Sequence, residues 1–230
     1  MHVKFYSYRY AQEILEHPKY RRAWDEIVQI LEEAPIFVYP GKSPYNRKLD
    51  VVQQVMNAYF DCRFALTFGW DYHPAATGIQ DSNLAADFRK SFGDLAIQVE
   101  VQFGNMARWY SDIFKFQAAY SQNLIQMGLC VIPTYNLAVR IDSNVVNFER
   151  TVRELPAAVL SITLPILLAG IEPDEHTPVV DLAVTQFKSK AEVVRQDNVW
   201  RIVNGYLRGV PLEQIGPGSD IGPTCSTEPS

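Results

Sequence analysis

Residues 93–105, Gly-Asp-Leu-Ala-Ile-Gln-Val-Glu-Val-Gln-Phe-Gly-Asn, alternate between polar and apolar types with a period of two, the signature of a β-strand. Gln98, Glu100 and Gln102 fall on one side, and Val99, Val101 and Phe103 on the other. The apolar side would fix the strand to a core, leaving the glutamate and its glutamine neighbours on a solvent-facing side. Asp87 stands thirteen residues before Glu100 and comes beside the strand if residues 89–93 turn or bend. Two carboxylates converging on one sheet edge make an oxygen-rich site suited to magnesium. Asp94, nearer in sequence, is the alternative partner for Glu100. A solvated strand face with a chance carboxylate accounts for the same spacing.

Asp87-Phe88 followed by Val99-Glu100-Val101-Gln102-Phe103-Gly104-Asn105 resembles the catalytic motif of type II restriction endonucleases of the BglII/BstYI group. The wider nuclease motif reads proline-aspartate, then aspartate or glutamate, any residue, lysine. This group carries glutamine at the last position, as here at Gln102. The resemblance runs from the tyrosine-rich N-terminal segment to Gly170-Ile171-Glu172. It implies an α/β restriction-endonuclease-like core, a central mixed β-sheet flanked by helices. It also implies Mg2+-dependent cleavage of double-stranded DNA at a short palindrome by a cytoplasmic homodimer, working alongside a DNA methyltransferase. Asp87, Glu100 and the carbonyl of Val101 would hold the metal, with Asp94 replacing Asp87 in the alternative assignment. Gln102 has no basic nitrogen and would orient water or phosphate by hydrogen bonding. Asp61 resembles an additional polar position that helps orient metal-bound water. A non-catalytic DNA-binding or assembly protein on the same fold, and a nuclease for damaged or branched DNA, are the competing functions.

The elements that must position these residues fit a chain of 230 residues with 47% hydrophobic and 20% charged content, enough for one well-filled core. Residues 1–215 are expected to form a single domain and 216–230, rich in glycine, proline and serine, a loose tail. A net charge of -5 argues against a generic nucleic-acid coat protein. It still allows a cleft enzyme that lines one groove with basic residues. Cys62, Cys130 and Cys225 are widely spaced and odd in number, which points to a reducing compartment with the first two buried. No export signal is evident, no apolar run suits a membrane span, and the scattered histidines, His73 included, support no zinc site.

Along the chain, a strand or arm over 1–10 precedes helices over 11–33 broken at Pro18. A helix over 46–59 would begin beside Lys42, Ser43, Arg47 and Lys48, a cluster placed to meet a phosphate at a helix start. Residues 63–68 read as a strand, and 77–83 as a loop facing DNA or a partner subunit. The stripe Trp109, Ile113, Phe116, Tyr120, Leu124 and Met127 predicts a helix over 106–127 that faces the core or another subunit and ends at Gly128. Strands are expected over 129–135, 138–141, 165–171 and 179–187, and helices over 143–155, capped by Ser143, and 190–206. Asn136 and Arg140, within residues 133–140, are candidates for contacts with DNA base edges.

Overall fold

The computed structural model describes residues 1–79, 81–159 and 161–219. Its first strand, β1 (His2–Tyr8), leads into α1 (Ala11–Glu16) and α2 (Arg21–Glu32), with Pro18 opening the short turn between the helices. There follow β2 (Ile36–Val38), α3 (Gln53–Asp61), β3 (Asp71–Tyr72), β4 (Phe88–Phe92), β5 (Leu95–Val101) and α4 (Met106–Ser121). The second half adds β6 (Met127–Pro133), α5 (Tyr135–Ile141), α6 (Phe148–Glu154), β7 (Ile166–Glu172), β8 (Val179–Asp181), α7 (Lys190–Val193) and α8 (Gln196–Leu207).

Six strands form one mixed sheet in the order β1-β7-β6-β5-β4-β3. The central β5, β6 and β7 run parallel, as strands joined by crossover helices must, while β1, β4 and β3 add antiparallel edges. This is the expected mixed sheet flanked by helices. β2 and β8 pair separately, in parallel.

Both faces of the sheet are covered. Ile97, Val99, Leu129, Val131, Leu167 and Ala169 join the larger apolar cluster, which takes in α2, α3 and α8. Cys130, Ile132, Ile166 and Leu168 face the other way, against Trp109, Ile113 and Phe116 of α4. Each such buried side chain contributes roughly 1.5–3 kcal/mol. The aromatic stripe of α4 is therefore core in this chain, and the helix turns Tyr110 and Phe114 outward instead. Cys62 and Cys130 are both buried, whereas Cys225 lies outside the described residues.

Several expected elements come out differently, each for a packing reason. Residues Cys62–Thr67 extend α3 as a π-helical turn, which puts Phe64 against Phe88 and Trp70 at 4.9 and 5.2 Å. The helix expected from residue 46 begins at Gln53, so 46–52 belongs to the preceding loop. α4 ends at Ser121, and Asn123 takes the left-handed conformation in the turn after it. Gly128 lies inside β6, where a side chain would strike the Phe116 ring 3.0 Å away. Residues 138–141 belong to α5, whose Leu137, Ala138 and Ile141 share a buried helical face. α6 is capped by Asn147, which accepts from the Arg150 N–H at 3.0 Å, not by Ser143. The strand at 179 runs only to Asp181 before a 3-10 turn, and 190–206 divides into α7 and α8. Among the described residues no helix is long and apolar enough to cross a membrane.

Candidate active site

β4 and β5 form a hairpin closed by Gly93 and Asp94, with Gly93 at φ +67°, where a side chain would be strained. The register pairs Phe88 with Val99, so one step further Asp87 falls opposite Glu100. Opposite residues of an antiparallel pair share a sheet face. The thirteen-residue spacing is thus the length of a hairpin, not of a bend over 89–93. Asp87 is fixed by its Oδ2, which accepts the main-chain N–H of Val101 at 2.7 Å. Asp94 sits at the other end of the hairpin, exposed and bonded to Lys19 at 2.7 Å and to the Tyr20 hydroxyl at 2.9 Å. As the alternative partner of Glu100 it is ruled out by position.

The face carrying Gln98, Glu100 and Gln102 is not open to solvent as expected. All three are buried, Glu100 to 1% exposure, because α4 lies over them. Glu100 Oε1 accepts from Gln98 Nε2 at 3.0 Å, and Gln98 in turn accepts from Arg89 at 3.1 Å. Glu100 Oε2 pairs with Lys115 of α4. Gln102 is held at both ends: its Nε2 donates to Asp112 Oδ2 at 2.7 Å, and its Oε1 accepts the Gly104 N–H at 2.8 Å. A side chain at Gly104 would come within 2.6 Å of that Oε1, so the fold-back of Gln102 requires glycine there. Lys115 also bonds Asp112 Oδ1, at 2.9 Å.

These groups wall a cleft of about 380 Å³, shared by Asp61, Tyr72, His73, Asp87, Glu100, Val101, Gln102, Arg108, Asp112 and Lys115. Burial raises the Asp87 carboxyl above its ordinary range, an effect only partly offset by the Val101 N–H and Lys115. Burial and the neighbouring Asp87 charge push Glu100 well above its own. Two such carboxyls beside a main-chain carbonyl are an all-oxygen donor set that fits a hard divalent cation. No group of three or more His, Cys, Asp or Glu could hold an ion among the described residues. An ion here would complete its shell with water or substrate oxygens, which is how magnesium commonly binds.

Asp61 ends α3 on the cleft wall. The proposed DNA contacts fare differently. Lys42 is half-buried, giving its ammonium to the carbonyls of Val51 and Ile141 at 2.7 Å each, so it pins a loop and does not face solvent. Ser43, Arg47 and Lys48 lie on that loop rather than at a helix start. Arg140 makes a two-pronged ion pair with Asp50 at 2.9 and 2.7 Å, which occupies its guanidinium. Asn136 is exposed on α5 and donates to Glu172 at 2.5 Å. Sequence reasoning missed Arg108, Asp112 and Lys115. Their spacing of four and three along α4 marks a polar stripe beside the apolar one, and that pattern was available to be read.

A mixed sheet of this order, with paired carboxylates where a hairpin meets the parallel strands, defines a nuclease of the restriction-endonuclease fold. The sequence model of the family described as "Restriction endonuclease BglII/BglIII" matches residues 3–171, well over half of the chain, and the chain belongs to that family. It is a type II restriction endonuclease, a site-specific DNA endonuclease. The match stops where the sequence resemblance also ended. Among solved structures, restriction endonuclease BglII complexed with a DNA 16-mer is 19% identical with a TM-score of 0.65, covering 83% of this chain and 86% of that one. Free BglII is 16% identical with a TM-score of 0.56, covering 83% and 89%. No curated protein matches the sequence. The family implies dependence on a divalent metal.

Proposed function

We propose that this endonuclease is Mg2+-dependent and cuts both strands of a short palindrome as a cytoplasmic homodimer whose host carries a protecting DNA methyltransferase. The reading is carried by one observation: Asp87, partly buried, and Glu100, fully buried, lie side by side on a cleft wall next to Val101. Bound Mg2+ would supply charge for the developing phosphoryl oxygens and lower the pKa of bound water. Asp87, Glu100 and the Val101 carbonyl would hold it. Gln98 and Lys115 fix Glu100 from both sides, and the Val101 N–H fixes Asp87. Gln102, immobilised by Asp112 and Gly104, offers its remaining amide hydrogen to the attacking water or the phosphate. Asp61 orients water from the far wall. Hydrolysis forms a bond from the water oxygen to phosphorus and breaks the bond to the 3′ oxygen. The water's proton leaves to solvent, and the 3′ oxygen takes one from solvent.

A palindrome offers each subunit of a two-fold dimer the same half-site. The outward Tyr110 and Phe114, 49% and 61% exposed on α4, suit a covered surface. Light scattering should give twice 26.2 kDa without DNA, and a monomer throughout the micromolar range removes the dimer. The test of the whole reading is digestion of a mixed-sequence plasmid with Mg2+, followed by sequencing of the ends. Discrete fragments with one shared palindromic end support it. A smear, or cutting that continues in excess EDTA, refutes it.

A further inference from the structure

The cleft contains a cation that neither strand of the hairpin contributes. Lys115 reaches in from α4 and donates to Glu100 Oε2, to Asp112 Oδ1 at 2.9 Å and to the carbonyl of Ala85 at 3.3 Å. Its three ammonium hydrogens thus have three acceptors, two of them carboxylates of the cleft. The side chain retains 12% exposure and lines the cavity. Burial works against its charge, but Glu100 and Asp112 outweigh burial and hold the ammonium above the usual lysine range.

A divalent ion on Asp87 and Glu100 competes with Lys115 for the same carboxylate oxygens. A phosphodiester entering the cleft brings its own anionic oxygens. A flexible four-carbon stem lets an ammonium change partners with little movement of the helix. Arg108, the other cation on this stripe, stands exposed in the first turn of α4, whereas Lys115 pairs with the cleft carboxylates Glu100 and Asp112.

We infer that Lys115 is the phosphate-facing cation of the cleavage site, released from Glu100 as a divalent ion binds and passed to a non-bridging oxygen of the scissile phosphate. There it stabilises charge that grows in the transition state. The inference rests on the reading of the cleft as the site of phosphodiester cleavage.

Lys115→Met keeps the stem and removes the charge, and two measurements at about pH 8 then move in opposite directions. Calorimetric titration of the DNA-free protein with Ca2+ should show affinity higher by on the order of 10-fold, since a competing cation is gone. Single-turnover cleavage with Mg2+ should fall by on the order of 100- to 1000-fold. A strut that merely supports the carboxylates would lose both, and a bystander would change neither; either result, in a protein with the parental circular dichroism, overturns the inference. If Lys115→Met does not fold, Lys115→Gln, which can still bond Glu100 and Asp112, carries the same two measurements. An unfolded Lys115→Gln makes Lys115 structural and also overturns it. A parental protein that neither binds Ca2+ nor cuts DNA sinks the reading of the cleft and the inference with it, a result visible before any variant is made.

Discussion

Gln102 donates its carboxamide N–H to Asp112 Oδ2 at 2.7 Å, tying the last motif position, one residue past β5, to α4. The bond is buried, so neither partner has water as a ready substitute. It joins α4 to the candidate site as well as to the core.

Gln102→Ala should lower single-turnover cleavage by on the order of 10- to 1000-fold, the range for losing one oriented hydrogen-bond donor. Asp112→Asn removes the acceptor charge that holds Gln102 and should cost a similar factor. If the two act as one unit, the double variant is no worse than the poorer single. A double-mutant cycle should then show coupling of about 1–3 kcal/mol. Independent, multiplying losses would mean that Gln102 works without Asp112.

Glu100→Gln keeps the shape of the side chain and its place between Gln98 and the cleft. It removes one of the two carboxylates proposed to hold the metal, and cleavage should fall roughly 1000-fold or more. Lys115 keeps Asp112 and the Ala85 carbonyl as partners, so the fold should survive. Gel shifts in Ca2+ on the parental target should show DNA binding retained. A variant that cuts at the parental rate means that Glu100 is not a metal ligand.

In the sequence, β5 and the approach of Asp87 to Glu100 are legible because both are local, but β4 itself, expected as a turn or bend over 89–93, is not legible as a strand. What lies over the hairpin was not legible. The side of Glu100 read as open because three polar residues alternate there, yet α4 covers it with polar partners of its own. Covering a charged strand face with charges is a tertiary arrangement that period-two reading cannot see. The same limit applies to Arg140 and Lys42, whose types suggested DNA contact. Their partners, Asp50, Val51 and Ile141, become neighbours only when the loop before α3 packs on α5. The strand expected at 63–68 failed for a different reason. Its aromatic residues satisfy strand propensity and π-helical packing equally, and contact with Phe88 decides.

The pH dependence of stability follows from the same burial. Asp87 and Glu100 have folded-state pKa values above their unfolded ones, so the folded state holds protons more tightly. Their favourable contribution is full below the ordinary carboxylate range and is lost as pH rises through the raised values. Acidification from about pH 8 toward pH 5 should therefore stabilise the metal-free parent relative to Glu100→Gln. Comparison with the variant cancels carboxylates outside the cleft, Glu13, Glu154 and Asp174, which are shifted downward. Urea midpoints of both proteins across that range are the measurement. A gap between them that does not change with pH contradicts the assignment. Divalent affinity of the parent should weaken over the same window, as protons compete for the same oxygens.

Gly128 links packing to chemistry at a distance. It lies in β6 beneath Phe116, and an added methyl group would sit 3.0 Å from the ring, tighter than ordinary van der Waals contact. Phe116 is fully buried, so the strain is relieved most directly by lifting α4 from the sheet. That motion carries Asp112 and Lys115 away from Gln102 and Glu100. Gly128→Ala should cost about 1–3 kcal/mol of stability, the usual range for overpacking, and should lower cleavage as well. Gly170→Ala is the control, because its methyl group would meet Phe148 at 2.5 Å on a helix that contributes nothing to the cleft. It should destabilise at least as much while leaving the cleavage rate of the folded protein near parental. Thermal unfolding and single-turnover rates, measured well below both unfolding midpoints, separate the two. If Gly128→Ala loses stability and keeps its rate, the seating of α4 does not set the geometry of Asp112 and Lys115.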